Sequence, residues 1–405
     1  MTTALTDLRE RVRAPSPVSR PPLPVKHRRP LTRPVVAYVV SRLLVFATVA
    51  IVTLAGRADP GKGPWPTLPG PRVPFLRALG RWDSAWYLAI VRHGYRVESS
   101  PPKGHASNAF FPLYPMLVRG VSDVTRLSPL IVGVILTTIF GGVATVFVWL
   151  VANRLAGRQV ADRAAILFCF FPGAFALSMA YAEALLVLAC AVSLLALLDR
   201  RWLLAGVAAA VATATRPNAV AIVLACAAAA FVAWRHERDI RAWIAPLLAP
   251  VGGLAYFTFQ YARTGDFMAW FHAERNNWQD HLDPGVTAFK RIWQTITGPA
   301  PSLHAGGLNV QVVAVGIVLG VVGIVFLLQW RPPLPVTLFG LGVIVMACTS
   351  VNVGPRPRLL LPAFPVAIAV ARGVRGKAFV VLAVVSAIGM AVLTGITVAS
   401  LAATP

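Results

Sequence analysis

Five long stretches of this 405-residue sequence contain no charged residue. They are residues 129–152, 243–262, 309–329, 336–355 and 378–405. A helix needs about 20 consecutive apolar residues to cross the hydrocarbon core of a membrane, and each stretch reaches that length. Only 13% of the residues are charged, about half the fraction of a typical soluble domain, and 57% are hydrophobic. These observations predict an all-α, polytopic membrane protein.

The net charge of +23 does not indicate nucleic-acid binding here. A nucleic-acid-binding face would gather its basic residues on one soluble domain. In this sequence they lie mostly in an N-terminal tail and in short loops between apolar stretches, as the positive-inside rule requires. The cysteines (Cys169, Cys190, Cys226 and Cys348) lie inside apolar stretches without metal-ligand spacing and are interpreted as small buried residues. The expected partners are therefore membrane lipids and not nucleic acid.

Two further apolar stretches, residues 164–198 and 202–234, are too long for one span each. Their only charged residues are Glu183 and Arg216, one in each stretch. A continuous helix of this length would measure about 50 Å, against a hydrocarbon core of about 30 Å. Each stretch is therefore predicted to form two helices that turn at the far surface. The expected breaks are Pro172–Gly173 and Pro217.

With both hairpins counted, the sequence predicts about eleven spans, within a range of about 10 to 12. Residues 1–34 contain eight Lys or Arg and seven Pro, and they are interpreted as a disordered basic cytoplasmic tail that touches anionic lipid. Residues 35–405 form one transmembrane domain. Its first span, 35–56, contains Arg42, which is expected to snorkel toward the cytoplasmic surface. The large outer loops are 57–128 and 263–308.

The first outer loop contains a dense group of aromatic and charged residues. It reads Arg81-Trp82-Asp83-Ser84-Ala85-Trp86-Tyr87-Leu88-Ala89-Ile90, followed by His93-Gly94-Tyr95. The aromatic residues recur at helical spacing, which predicts a short helix over 84–93 lying in the membrane interface. Asp83 would stand just before its first turn. That position fits a helix N-cap and a functional carboxylate equally well.

This loop resembles the signature of the PIG-V-type mannosyltransferases, members of the GT-C superfamily of polytopic glycosyltransferases. Further similar segments follow in the same order. They are Ala109-Phe110-Phe111-Pro112-Leu113-Tyr114-Pro115, Tyr181-Ala182-Glu183, Gly265-Asp266-Phe267, Phe271-His272-Ala273 with Trp278, and Pro357-Arg358-Leu359 with Pro362 and Pro365. The resemblance extends from residue 80 to 366. It implies a bacterial cell-membrane enzyme of GT-C fold whose active site is extracytoplasmic.

The resemblance also implies a mechanism. The donor is a polyprenyl-phosphate sugar, expected here to be polyprenyl-phosphate-mannose, and the acceptor is a lipid or a glycan. Because the phosphate leaves without being protonated, one carboxylate is enough as the general base. The resemblance implies Asp83 in that role, since GT-C enzymes carry an acidic residue in the first outer loop. Single displacement would invert a β-linked donor to an α-mannoside.

The departing phosphate needs a cation to stabilise it, preferably an arginine fork. The substrate-binding candidates are Arg81, Trp82, Trp86, Tyr87, Tyr114, Glu183, Arg216, Arg356 and Arg358. Arg216 and Arg358 are the first candidates for the phosphate, and the alternative for each arginine is a snorkelling cation at a span end. A carboxylate within an apolar stretch is costly unless it is paired or hydrated. Glu183 is therefore expected in the site, or in an ion pair with one of these arginines.

No metal or other cofactor is expected. The possible ligands in the second outer loop have loose spacing and are interpreted as solvated residues. They are His272, His281, Asp280 and Asp283. The alternative function is a secondary transporter or lipid flippase with a similar number of spans. Transporters tend to have internal repeats and short outer loops, whereas this chain has no internal repeat and two large aromatic loops.

Overall fold

The computed structural model describes residues 31–58, 73–95, 107–278, 305–350 and 354–400, and single positions between 280 and 297. These residues form α-helices and short 3₁₀ turns, with no β-strand in the part of the chain described. Many large apolar side chains are exposed on the outer faces of the helices, while others fill the interior. Helices satisfy their backbone hydrogen bonds internally, which lets such apolar segments cross a membrane. The predicted all-α fold class is confirmed.

Seventeen helices with described boundaries follow one another along the chain. They are α1 (Thr32–Leu54), α2 (Pro74–Leu79), α3 (Asp83–His93), α4 (Leu113–Thr125), α5 (Pro129–Ala156), α6 (Arg158–Cys169), α7 (Glu183–Leu198), α8 (Trp202–Thr213), α9 (Val220–Glu237), α10 (Ile244–Leu248), α11 (Val251–Thr264), α12 (Ala269–Asn277), α13 (Ala305–Trp330), α14 (Leu334–Cys348), α15 (Pro357–Leu360), α16 (Phe364–Gly373) and α17 (Gly376–Ala399). Short 3₁₀ segments lie at Ser107–Ala109, Pro172–Ser178, Pro217–Ala219 and Ile240–Trp243.

Within the described residues, six helical segments are long and apolar enough to cross a membrane. They are Thr32–Leu54, Pro129–Ala156, Pro217–Glu237, Ile240–Thr264, Leu308–Trp330 and Gly376–Ala399. A bent pair, α6 with the 3₁₀ segment that follows it, makes a possible seventh, and α7, α8, α14 and α16 are shorter apolar helices. The chain is thus a multi-pass membrane protein, and the count of eleven spans stays a prediction. α1 starts inside the predicted tail, whose first 30 residues lie outside the described part.

Both long apolar stretches are interrupted at the prolines where breaks were predicted. After α6 the chain bends by 75° into the 3₁₀ segment Pro172–Ser178, and α7 begins at Glu183. In the second stretch, α8 ends before Arg216 and α9 begins after Pro217. Proline interrupts a helix because it lacks an N–H and clashes with the preceding turn. The two charged residues therefore lie at helix ends, where their side chains can meet other segments.

Arg42 of α1 is buried and does not snorkel, contrary to expectation. Only 4% of its surface is exposed. Its guanidinium donates hydrogen bonds to the carbonyl oxygens of Ala174 at 2.6 Å and Cys169 at 3.1 Å, and to the hydroxyl of Ser178 at 2.9 Å. Carbonyl groups at a helix end lack intrahelical partners and attract cations. Arg42 therefore stabilises the bend that leads into Glu183.

Two glycines hold the segment that carries Arg358. A Cβ atom at Gly173 would overlap the carbonyl group of Pro357, and one at Gly316 of α13 would overlap that of Pro355. Only glycine permits so close an approach between backbones. The segment 355–358 is thereby fixed between the bend after α6 and helix α13. Around it, α7 packs against α5 and α8, and α9 packs against α14.

Candidate active site

Asp83 is the first residue of α3 and follows a strained turn. Trp82 stands at the N-cap position with φ +59° and ψ −129°, and no side chain caps the helix. A bulky residue in such a conformation costs on the order of 1–3 kcal/mol, and strain of this kind concentrates at functional sites. The Trp82 indole donates a hydrogen bond to the carbonyl of Thr397 in α17 at 3.1 Å, which holds the turn in place. The N-cap interpretation of Asp83 is therefore wrong.

The predicted helix over 84–93 is present, but it is not an exposed interfacial anchor. Trp86, Tyr87 and Ile90 are all buried within the protein. The Trp86 ring stacks on Phe110 with centroids 5.9 Å apart, and Tyr87 meets the ring of Tyr114 at 5.1 Å. These contacts pack α3 against α4 and the turn before it. Substrate contact by Trp86, Tyr87 and Tyr114 stays a prediction.

The Asp83 carboxylate meets two arginines. Its Oδ2 atom lies 2.9 Å from Nη1 of Arg358 and 3.8 Å from Nη1 of Arg216. Both ion pairs use the same oxygen. No hydrogen bond or ion pair to Oδ1 is recorded from the described residues. The Asp83 side chain is 17% exposed, so one of its oxygens is available to a bound molecule.

Glu183, the first residue of α7, contacts the same two arginines. Its Oε1 atom accepts a hydrogen bond from Nη1 of Arg216 at 2.7 Å and lies 3.4 Å from Nε of Arg358. Its side chain is only 2% exposed. The negative charge is also favoured by the N-terminal end of the α7 dipole. The structure thus places Glu183 in ion pairs with both candidate arginines. Glu183 is less exposed to solvent than Asp83.

Arg358 connects the two carboxylates. It lies in α15 and is 4% exposed, and its guanidinium stands over the ring of Tyr181 at 4.9 Å. Burial lowers the pKa of Arg358, but the charges of Asp83 and Glu183 more than offset this and hold the pKa above its usual value. Nη1 is in ion-pair contact with Asp83 without hydrogen-bond alignment, and neither Nε nor Nη1 makes a hydrogen bond within the described residues. Arg358 is a charged group with unused donors.

We call Asp83, Glu183, Arg216 and Arg358 the ion-pair cluster. Its four residues come from α3, the start of α7, the turn before α9 and α15, and their formal charges sum to zero. Of the other candidates, Arg81 donates to the carbonyl of Val398 and so joins Trp82 on α17. Arg356 is buried two residues before Arg358, but the recorded ion pairs with the two carboxylates come from Arg216 and Arg358.

The metal candidates of the second outer loop do not gather in one place. His272 Nδ1 lies 2.7 Å from Asp266 Oδ2 on an exposed surface, and this contact lowers the pKa of Asp266. Asp280 instead accepts a hydrogen bond from the Ser350 hydroxyl at 2.6 Å. No group of three His, Cys, Asp or Glu residues in the part of the chain described is arranged to hold a metal ion. Independence from a metal stays a prediction.

One residue near the cluster was missed by the sequence analysis. Glu274 of α12 is half-buried, and the charges of Asp83 and Arg216 act on its carboxyl group. A glutamate in a polar loop gives no signal of its own in a sequence. Its one available clue was its position between two segments that resemble the family, at His272 and Trp278.

Part of this chain is similar to a known protein family. Residues 73–261 match the model of the family described as Mannosyltransferase (PIG-V). GPI mannosyltransferase 2 of Drosophila pseudoobscura pseudoobscura is 32% identical over 168 residues. The match covers 38% of this chain and 36% of that relative, so the chain spans just over a third of the relative's length in this alignment. The resemblance that the motifs indicated is confirmed over these residues.

A solved structure shows the same fold. ArnT from Cupriavidus metallidurans, bound to undecaprenyl phosphate, aligns with a TM-score of 0.51 and 13% sequence identity. The alignment covers 86% of this chain and 61% of ArnT. At this level of identity the likeness concerns the fold alone. It confirms the GT-C architecture that the resemblance implied.

Proposed function

We propose that the chain transfers mannose from polyprenyl-phosphate-mannose to a lipid or glycan acceptor, because residues 73–261 match the PIG-V mannosyltransferase family. Two relatives support the substrate classes: one carries the name GPI mannosyltransferase 2, and one of similar fold was solved with undecaprenyl phosphate. The reaction takes place at the extracytoplasmic face of the cell membrane. The positive-inside distribution of basic residues supports this orientation.

The ion-pair cluster is the observation that carries this proposal. Two carboxylates and two guanidiniums are removed from water together, and such burial costs several kcal/mol per ion before pairing repays it. Groups of this kind concentrate at functional sites, where their charge is used in chemistry. Asp83 is the more exposed of the two carboxylates, at 17% against 2% for Glu183. Asp83 is therefore the group that meets the acceptor.

In the transfer step, Oδ1 of Asp83 accepts the proton of the acceptor hydroxyl. The hydroxyl oxygen bonds to C1 of mannose from the face opposite the phosphate, and the bond from C1 to the phosphate oxygen breaks. The electron pair of that bond goes to the phosphate, which leaves as polyprenyl phosphate without needing a proton. One general base therefore suffices, and a β-linked donor yields an α-mannoside.

Arg358 and Arg216 stabilise the charge that develops on the phosphate. A phosphodiester donor carries one negative charge, and the departing monoester gains a second. Nε and Nη1 of Arg358 contact the two carboxylates as ion pairs without hydrogen-bond alignment, so a phosphate that reaches the guanidinium can compete for its donors. Glu183 is a positioning residue in this scheme. It holds both guanidiniums in place before the donor arrives, and preorganised charge is what makes such stabilisation effective.

The direct test is a transfer assay with the purified full-length protein in phospholipid nanodiscs. Polyprenyl-phosphate-[³H]mannose is supplied with octyl α-mannoside, phosphatidylinositol or no acceptor. We expect label in a mannosylated product, with an α linkage. Use of a nucleotide sugar in place of the polyprenyl-phosphate donor would contradict the proposal, and so would movement of the intact donor across the bilayer without transfer.

A further inference from the structure

The second outer loop is fastened to the first beside the ion-pair cluster. The indole of Trp270 in α12 donates a hydrogen bond to the carbonyl of Ala109 at 3.2 Å. Just beyond the end of α12, the ring of Trp278 packs against those of Trp86 and Phe110, with centroids 5.9 and 5.6 Å away. Both ends of α12 are therefore held against the segment that follows Asp83 in the chain.

Beyond α12 the loop crosses to the segment that leads to Arg358. The Ser350 hydroxyl donates to Asp280 at 2.6 Å, and the backbone N–H of Asp283 donates to the carbonyl of Thr349 at 2.8 Å. α12 and the residues after it thus connect the first outer loop with the end of α14. Asp83 lies on the first of these sides, and Arg358 follows α14 on the second.

Glu274 is the acidic residue of α12. It is half-buried and lies one helical turn from both Trp270 and Trp278, on the face of α12 that packs against the first outer loop. The charged groups that act on it come from three different segments: Asp280 after α12, Arg216 before α9 and Asp83 of α3. From the neighbouring α11, Arg263 is engaged with Asn108 at 2.6 Å. On α12 itself, His272 pairs with Asp266 and Arg275 is exposed.

These surroundings favour the protonated form of the Glu274 carboxyl group. Burial and the negative charge of Asp280 raise its pKa to about 8, with Arg216 opposing the shift and Asp83 adding to it. A protonated carboxyl group can both donate and accept a hydrogen bond, whereas a carboxylate only accepts. A sugar hydroxyl also does both. The two groups are therefore complementary.

We propose that Glu274 is a further residue of this site, whose carboxyl group hydrogen-bonds the acceptor beside Asp83. The inference rests on the proposed function and adds the acceptor-binding side of it. A neutral group is suited to this place because the ion-pair cluster has no net charge and the donor brings a negative one. An ionised Glu274 would add a further negative charge beside the departing phosphate, which opposes the transfer.

Two substitutions separate hydrogen bonding from charge. Glu274→Gln keeps a donor and an acceptor at the same place, and Glu274→Ala removes both. With octyl α-mannoside as the acceptor at pH 7, we expect Glu274→Gln to keep its KM for this acceptor within a few-fold of the wild type. Glu274→Ala should raise that KM about 10-fold, the effect expected when one hydrogen bond is lost. The KM for the polyprenyl-phosphate-mannose donor should stay the same in both variants.

The pH profile supplies a readout that a structural role would not change. In the wild type, kcat/KM for the acceptor should fall as the pH rises through about 8, because Glu274 loses its proton there. In Glu274→Gln this fall should be absent. Glu237→Gln and Glu237→Ala are the matched controls, because Glu237 lies at the opposite end of α9 and pairs with Arg200. Neither should change the acceptor KM.

The outcomes distinguish this inference from the proposed function. If the wild type transfers mannose and Glu274→Ala keeps the wild-type acceptor KM, the inference alone fails. If Glu274→Gln loses turnover as completely as a variant without its base, Glu274 is a base and not a neutral acceptor-binding group, which also overturns the inference. Failure of the wild type to use the polyprenyl-phosphate donor would overturn both. Size-exclusion profiles and melting temperatures of each variant show whether a loss is due to misfolding.

Discussion

Arginine–carboxylate pairs occur at both ends of helices α7 and α9, and the two sets differ in exposure. At the far end, Arg154 pairs with Asp199 at 3.2 Å, and both side chains are more than a third exposed. At the near end, Arg216 pairs with Glu183 at 2.7 Å, with exposures of 15% and 2%. α9 has 18 residues, so its ends are about 27 Å apart. The same type of ion pair is therefore exposed at one end of these helices and buried at the other.

The difference in exposure indicates that the two sets of ion pairs have different roles. Exposed ion pairs contribute about 0–1 kcal/mol to stability, and salt screens them. Buried ion pairs must first repay the loss of hydration, so replacing them with apolar residues is often neutral or stabilising. Stability alone gives no reason to bury four ionised groups in the ion-pair cluster. The exposed pairs are surface features, whereas the buried set is explained by a function that needs fixed charge.

The largest effect on folding is expected for Glu183→Ala. This change leaves the guanidiniums of Arg216 and Arg358 buried with Asp83 as their remaining recorded carboxylate partner. Removing one partner of a buried ion pair destabilises a protein by about 3–5 kcal/mol. Thermal unfolding in detergent, followed by tryptophan fluorescence, should show a clear drop in the melting temperature. Unchanged stability in this variant would mean that Glu183 does not hold the two arginines.

Arg358→Lys tests whether the buried ion pairs at the near end of α7 and α9 take part in catalysis. An ammonium group cannot contact both carboxylates and a phosphate with a planar fork, so we expect turnover to fall about 100-fold, as for loss of one charge-stabilising donor. Folding should be affected less than in Glu183→Ala, because a positive charge remains. Arg200→Lys at the exposed end is the matched control and should leave mannosyl transfer unchanged. Equal rates for Arg358→Lys and the wild type would remove Arg358 from the site.

The smallest effect is expected for Glu237→Gln. Glu237 pairs with Arg200, and both side chains are about half exposed. Removing this pair should change the free energy of unfolding by less than about 1 kcal/mol, and less still at high salt. Mannosyl transfer should remain at the wild-type rate. A large loss of stability here would mean that exposure does not separate the two ends as described.

The sequence predicted the helices and breaks well because these depend on local rules. Apolar length predicts spans, and prolines 172 and 217 end helices whatever surrounds them. Arg42 was interpreted wrongly because its partners, the carbonyls of Cys169 and Ala174, lie about 130 positions away in the chain. No local pattern reveals such a contact. A charge near a span end snorkels unless the fold brings acceptors to it.

The members of the ion-pair cluster were named as candidates, but their arrangement could not be derived from spacing. Asp83 and Glu183 are 100 positions apart, and they meet only because α3, α7 and α15 converge. The family resemblance and the isolated charges of the apolar stretches supplied the candidates, and the structure supplied the pairing of both carboxylates with both arginines. Glu274 lay outside the prediction because only tertiary packing buries it beside Asp83.

The most direct test of the central claim is mannosyl transfer by Asp83→Asn. Asparagine preserves the size of the side chain but cannot accept the acceptor's proton. We expect normal expression, normal binding of polyprenyl-phosphate-mannose and a fall in turnover of about 100-fold or more, which is typical for loss of a general base. Asp83→Glu should also be slow, because the extra methylene displaces the carboxylate from the acceptor oxygen. Asp199→Asn, which alters the exposed pair with Arg154, should transfer at the wild-type rate. If Asp83→Asn retains most of the wild-type rate while binding the donor normally, Asp83 is not the base and the account is contradicted.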